Sequence, residues 1–248
     1  MALLKAENIS VEFGNRPILK DVTISLNSNE LVSILGLSGS GKTTLFNVLS
    51  GIIKPQTGQV IFNNRDITGH TGYMSYMLQK DLLLSHKSII DNVSLPLIIQ
   101  GMSRKDARQK SLPYLKSFGL EASANMYPNQ LSGGMRQRAA LLRTYMCGKE
   151  IALLDEPFSA LDTITKSSMH EWYLSIMKEI NLSTLFITHD IDEAILLSDR
   201  IYILGNTPSS IVEEIVINPN DVRRADLLVS NEFLHYKKTI LKAIGDNQ

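Results

Sequence analysis

Nine residues, GLSGSGKTT from Gly36 to Thr44, define the main chemistry open to this 248-residue sequence. Gly36, Gly39 and Gly41 let the backbone curl with its N–H groups turned inward, the arrangement that cradles phosphate oxygens. The apolar ELVSIL before them reads as a strand and TLFNVL after them as a helix. The helix N-terminus then aims its positive end at the same point. Lys42 can reach the terminal phosphates, and the Thr43 hydroxyl suits Mg²⁺. The strand before and the helix after make a glycine-rich turn that binds nothing a poor alternative. The segment predicts binding of a nucleoside triphosphate.

Such a loop needs a carboxylate at the end of a second strand, and IALLDEP supplies one. Asp155 is placed to hold Mg²⁺ through water. Glu156 follows directly and so points elsewhere, toward where an attacking water would sit, and can polarise that water as a general base. One strand later, STLFITHD puts His189 at a C-terminal strand end, where open α/β sheets place ligand-contacting side chains. His189 would hydrogen-bond the γ-phosphate. His70, His86, His170 and His235 read as surface or structural residues.

A second anion site is only half built. In LSGGMRQR, residues 131–138, Ser132, Gly133 and Gly134 precede the helical AALLRTYM. They offer a hydroxyl and free backbone N–H groups at a helix N-terminus, with no lysine and no metal-binding carboxylate. Incomplete sites become complete by meeting another surface.

The elements that must position these residues are legible in the hydrophobic pattern. ELVSIL, IALL and TLFIT are short, nearly continuous apolar runs, which suit strands covered on both faces as in a parallel sheet. The first segments alternate and are separated by the turn signals FGNRP and LNSNE, so they read as antiparallel. Between about residues 80 and 148 the texture turns helical, with Pro113 expected to kink or split the first helix. The expected fold is α/β: a P-loop core with a mostly parallel sheet, an antiparallel β subdomain and an inserted helical subdomain. The expected organisation is a domain over 1–220 and a helical extension over 221–248. In that extension Phe233, Tyr236, Ile240 and Ile244 fall at helical spacing and read as core packing rather than a membrane anchor.

Bulk composition narrows the partners. With 25 basic and 25 acidic residues the net charge is zero, which argues against nucleic acid as the main partner. A single cysteine, Cys147, excludes an internal disulfide framework and fits a reducing compartment. The start lacks a signal peptide's apolar centre, and no run approaches the roughly 18 apolar residues of a membrane helix. These features lead to the expectation of a cytoplasmic, soluble chain.

Together the motifs resemble those of the ATP-binding subunit of ABC transporters. GLSGSGKTT matches that family's Walker A, IALLDE its Walker B and LSGGMRQR its signature. Gln79 in YMLQKDLL matches the Q-loop glutamine, Ser159-Ala160-Leu161-Asp162 the D-loop and His189 the switch histidine. All six occur in family order and spacing. The resemblance implies ATP and Mg²⁺ as cofactors. Glu156, His189 and Gln79 would be the catalytic groups, with Thr43, Gln79 and Asp155 around the metal. Nucleotide contacts would come from Ser38, Ser40 and Thr44 beside the three glycines and Lys42, and from Phe13, which matches the adenine-stacking aromatic or is a buried strand residue. Ser132, Gly133, Gly134 and Asp162 would reach the nucleotide of a second subunit in a head-to-tail dimer, expected to be a homodimer.

The run LLLSHKSIIDNVSLPL and the short C-terminal segment resemble the nitrate/sulfonate/taurine importer group, which includes importers of thiamine precursors. Ser85 and His86 stand where that group usually carries Pro-Trp, and Ser159 where glycine is frequent. The resemblance implies a peripheral subunit on the cytoplasmic face of a membrane. Its partners would be a transmembrane permease and a solute-binding protein that acts with it. An exporter's ATPase would carry the same motifs. A soluble member acting on DNA or ribosomes would carry long coiled coils, zinc modules or a second cassette in tandem, and this sequence has none of these.

Overall fold

The computed structural model describes residues 2–159, 161–217, 227–228 and 230–245. Two sheets organise them. The first is antiparallel, in the order β2-β1-β4-β5: β1 (Leu4–Phe13), β2 (Arg16–Leu26), β4 (Thr57–Phe62) and β5 (Arg65–Asp66). Phe13 pairs with Arg16, so the β1–β2 loop is the dipeptide Gly14-Asn15, with Gly14 at φ 61°. That left-handed angle is what a tight hairpin asks of glycine.

The second sheet carries the chemistry. Its order is β10-β9-β3-β8-β7-β6, formed by β3 (Leu31–Gly36), β6 (Ser75–Met77), β7 (Ile151–Asp155), β8 (Ser183–Thr188), β9 (Arg200–Leu204) and β10 (Ile211–Val216). All neighbours are parallel except β10 on β9. The continuous apolar runs are explained by burial on both faces. In β7, Ile151 and Leu153 join the core shared with β1, β2 and helix α1 (Lys42–Leu49), while Ala152 and Leu154 join the core under the helical region. In β8, Leu185 and Ile187 face the first core and Phe186 the second. The period of two thus divides each strand between two cores.

The helical region consists of α2 (Ile89–Ile99), α3 (Arg104–Ser117) and α4 (Gly133–Tyr145). Ser88, Ser103 and Ser132 cap these helices, each side chain accepting from the backbone N–H three residues on. The expected split at Pro113 does not occur: α3 is one helix through it. Tertiary packing of Ala107, Ser111 and Leu115 holds that helix despite the missing donor. Asp91 on α2 accepts from both Arg104 and Arg108, which ties α2 to α3.

Two further helices follow β7 and β8: α5 (Thr163–Ile180) and α6 (Ile191–Leu197). The C-terminal helix α7 (Asn231–Gly245) packs on α6 and β9. Phe233 and Ile240 are buried there, with Tyr236 and Ile244 packed against the same core, so the apolar stripe is core. The expected boundary at 220/221 lies outside the described residues. No helix among the described residues is long and apolar enough to cross a membrane.

Candidate active site

The central strands β3, β7 and β8 end side by side, and their C-terminal ends deliver the predicted groups to one place. Gly36 ends β3, and a Cβ there would sit 2.8 Å from Ser40 Oγ and 2.9 Å from the Leu204 carbonyl oxygen, so only glycine fits. Gly39 and Gly41 take φ of 83° and 85°, closing the curl that leads into α1. Lys42 is buried, and its Nζ donates to the carbonyl oxygens of Gly36 (2.9 Å) and Leu37 (2.8 Å). An ammonium has three donors, so one remains for a ligand. Burial pulls the Lys42 pKa below its usual value, against the opposing pull of Glu156 and Asp155.

A cleft of about 840 Å³ opens over this loop. Gly36, Ser38, Gly39, Gly41, Lys42, Thr43 and Thr44 line its floor, and Gln79, Asp155, Glu156 and His189 its wall. Ser40 lies beneath, its buried Oγ without a hydrogen-bond partner among the described residues. The Thr43 hydroxyl donates to Asp155 Oδ2 at 3.1 Å. Burial raises the Asp155 pKa, opposed by that hydroxyl. A hydroxyl and one strand-end carboxylate beside a phosphate cradle fit Mg²⁺, which is usually held by one or two carboxylates and the ligand's own oxygens. Groups of three or more His, Cys, Asp or Glu poised for a metal are absent among the described residues.

Glu156 is the hub of the wall. Its backbone is left-handed at φ 46°, and its N–H donates to the Ile187 carbonyl of the neighbouring strand. Turned this way, its Oε2 accepts from Gln79 Nε2 at 2.9 Å, and Oε1 lies 3.2 Å from His189 Nδ1. Two predicted groups, Gln79 beyond β6 and His189 beyond β8, therefore meet at the carboxylate that follows β7.

The other predicted residues lie elsewhere. Phe13 is 53% exposed at the hairpin end, which overturns the buried-strand alternative. Ser132 is exposed at the head of α4. A Cβ at Gly134 would lie 3.2 Å from Thr165 Cγ2, so α4 approaches α5 closely. Asp162 caps α5 by accepting from Thr165 N. Ala160 lies outside the described residues. Among the described residues, none of Ser132, Gly133, Gly134 and Asp162 lines the cleft.

Several residues around the cleft were not singled out from sequence. Arg16 and Ile18 of β2, Ile191 of α6 and Leu241 of α7 also line it, joined by Ile244, which the sequence marks only as core packing. A hidden ion-pair cluster sits behind His189. Lys166 Nζ donates to Asp190 Oδ2 (2.6 Å) and Glu193 Oε2 (2.8 Å), joining α5 to the start of α6. His170 Nε2 lies 3.8 Å from the same Glu193 oxygen, and its ring meets Phe158 edge-on.

Burial, then the Lys166 charge, pushes the His170 pKa down from 6.5 to about 4. The unfolded chain therefore takes up this proton at a higher pH than the folded one. Stability is fully present above about pH 6.5 and falls as pH drops toward about 4. Glu193, raised by burial, has the opposite slope, so a variant is needed to isolate His170. His170→Phe should show a smaller loss of urea midpoint between about pH 7 and about pH 5 than the parent chain. Equal losses would contradict a neutral buried imidazole.

Comparison with known proteins places this arrangement. The ABC transporter family matches residues 19–159. The formylaminopyrimidine import ATP-binding protein ThiZ of Halalkalibacterium halodurans is 39% identical over 241 residues, 97% of this chain and 93% of that protein. The taurine import ATP-binding protein TauB of Yersinia pestis is 35% identical over 216 residues, 87% of this chain and 85% of that protein. Among solved structures, a dimeric ATP-binding cassette in a post-hydrolysis state bound to ADP and Pi is similar with a TM-score of 0.73. It is 30% identical, covering 87% of this chain and 99% of that one.

Proposed function

Since this chain belongs to the ABC transporter family and is one of its ATPases, we propose that it is the energy-coupling subunit of a membrane importer. Two such subunits close on ATP at the cytoplasmic face of the membrane and drive a separate permease, served by a solute-binding protein. Residues 1–220 form the cassette, with a helical insert over about 80–148, and residues 221–248 an extension. The observation that carries this reading is the division of phosphate donors. One chain has a full cradle at Lys42, while the exposed Ser132 loop stands outside that cleft.

Each residue has a task in this reading. The backbone N–H groups of residues 38–43 and the Lys42 ammonium hold the β- and γ-phosphate oxygens. Thr43 and Asp155, with Gln79 at the edge, hold Mg²⁺, which when bound neutralises charge on those oxygens. Glu156 takes the proton of the attacking water, and Gln79 and His189 fix the carboxylate that does so. His189 also faces the γ-phosphate. Phe13 stacks on the adenine from the hairpin end. Ser132, Gly133, Gly134 and Asp162 of one chain complete the site of the other. The importer assignment draws on the importers named among the relatives.

The permease contact is expected on the groove between Gln79 and Lys87, lined in part by Leu82 and Leu83. In chains with Cys147 changed to Ser, a cysteine replacing His86 should crosslink to an integral membrane protein when the complex is isolated from its own membranes. A cysteine replacing the exposed Leu234 on α7 should not. Crosslinks confined to position 234 would overturn this placement.

A further inference from the structure

The segment behind Gln79 is held in a costly shape by a helix that carries a different part of the site. Leu82 has a left-handed backbone at φ 44° although it is left 51% exposed and joins no core cluster among the described residues. A side chain with a Cβ resists that conformation. What holds it is Arg143, whose Nη1 donates to the Leu82 carbonyl at 2.7 Å and whose Nη2 donates to the Asp81 carbonyl at 2.5 Å. Two turns nearer the head of α4, Arg136 Nε donates to Asp81 Oδ2 at 3.2 Å, and its Nη1 donates to the Leu131 carbonyl at 2.9 Å. Asp81 Oδ1 in turn accepts from Leu83 N.

We propose that Arg136 and Arg143 are positioning residues that lock the strained Asp81–Leu82 turn to α4, so that Gln79 and the Ser132 loop move as one body. The inference rests on the reading that Ser132 completes the site of a second chain. A continuous path follows. Glu156 meets Gln79, Gln79 leads through one residue to Asp81, Asp81 meets Arg136, and Arg136 holds the peptide next to Ser132. The far end of the turn is also anchored, because Leu84 N donates to Asn92 Oδ1 on α2. The planar fork of arginine suits two adjacent carbonyls at once, which a single ammonium does not. The two side chains are seven residues apart, two turns on one helix face. Neither arginine lines the nucleotide cleft, so each acts on ATP through other residues.

This predicts a split between rate and affinity. Arg143→Gln should lower kcat roughly tenfold while the KM for ATP stays within about twofold. Adding Leu82→Asn should recover a substantial part of that loss, because asparagine adopts the left-handed backbone more readily and needs less holding. A merely structural arginine gives no reason for rescue at residue 82. Thermal unfolding checks that each variant is folded. If Arg143→Gln is not, Arg136→Gln, whose side chain is 39% exposed, is used in its place and should show the same split and the same rescue.

Ser132→Arg is measured in parallel. A split with rescue, and loss of turnover in Ser132→Arg, supports the proposal. An Arg143→Gln enzyme with parental kcat, or a loss that Leu82→Asn leaves unrelieved, overturns it while an inactive Ser132→Arg leaves the shared-site reading intact. An active Ser132→Arg overturns that reading and the proposal with it.

Discussion

Glu156→Gln keeps ATP bound but slows hydrolysis by a factor on the order of 10² or more. The substitution is close to isosteric, and the backbone cost of the left-handed angle at residue 156 is the same for both side chains. The main-chain bond to Ile187 is untouched. An amide oxygen can still accept from Gln79 or His189, so the wall of the cleft stays assembled. What disappears is the carboxylate proposed to take a proton from water. ATP then persists, and with it the contacts that hold two chains together. The variant should elute as a dimer on a sizing column with ATP and Mg²⁺ and as a monomer without them. Parental turnover in this variant would remove Glu156 from the role of base.

The second large effect is expected at the two halves of the phosphate grip. Lys42→Ala removes a buried ammonium whose Nζ lies between two loop carbonyls, leaving them and the incoming phosphates without it. ATP turnover should fall by a factor on the order of 10² or more. Ser132→Arg acts at the other half. Ser132 is exposed, and its hydroxyl accepts from Met135 N, so the folded chain loses one helix cap, about 1 kcal/mol. If the site is shared as proposed, the larger consequence is a bulky cation where a neighbour's γ-phosphate would sit, and turnover should again fall by a factor on the order of 10². The two variants differ in binding. Lys42→Ala should fail to bind ATP as a monomer, whereas Ser132→Arg should bind it normally, because its own cleft is intact. Fluorescence titration with a labelled ATP separates them. Weak binding by Ser132→Arg would place that loop at its own chain's nucleotide.

What was legible in the sequence follows from what is local. Apolar runs such as IALL and TLFIT reveal strands buried on both faces because each residue of such a strand meets a core. GLSGSGKTT is legible because glycine types and lysine spacing are set by backbone geometry over nine residues. Pro113 does not split α3, since its local cost to a helix is outweighed by packing that only the folded chain supplies. The side of the cleft formed by α7 was not legible. Leu241 and Ile244 reach it from a helix some two hundred residues from Lys42, and apolar residues on an amphipathic helix carry no mark of which face meets a ligand. The clamp of Arg136 and Arg143 left a fainter signal: two arginines seven apart on a helix share a face. Their partners, two carbonyls in a strained turn, have no side-chain signature at all.

The central claim is that each ATP is gripped by Lys42 of one chain and Ser132 of another. Mixing the Lys42→Ala and Ser132→Arg variants tests it most directly. With free exchange of equimolar chains, about half of the dimers are mixed, and each mixed dimer holds one site with both defects and one with neither. Roughly a quarter of all sites are then whole, with the full set of donors around the γ-phosphate. ATPase activity absent from either variant alone should reappear on mixing, at up to about a quarter of the parental rate, or less where turnover needs both sites. ATP-dependent association of the mixed pair should return in either case. If subunit exchange is demonstrated and neither activity nor ATP-dependent dimer returns, the sites are not shared between chains.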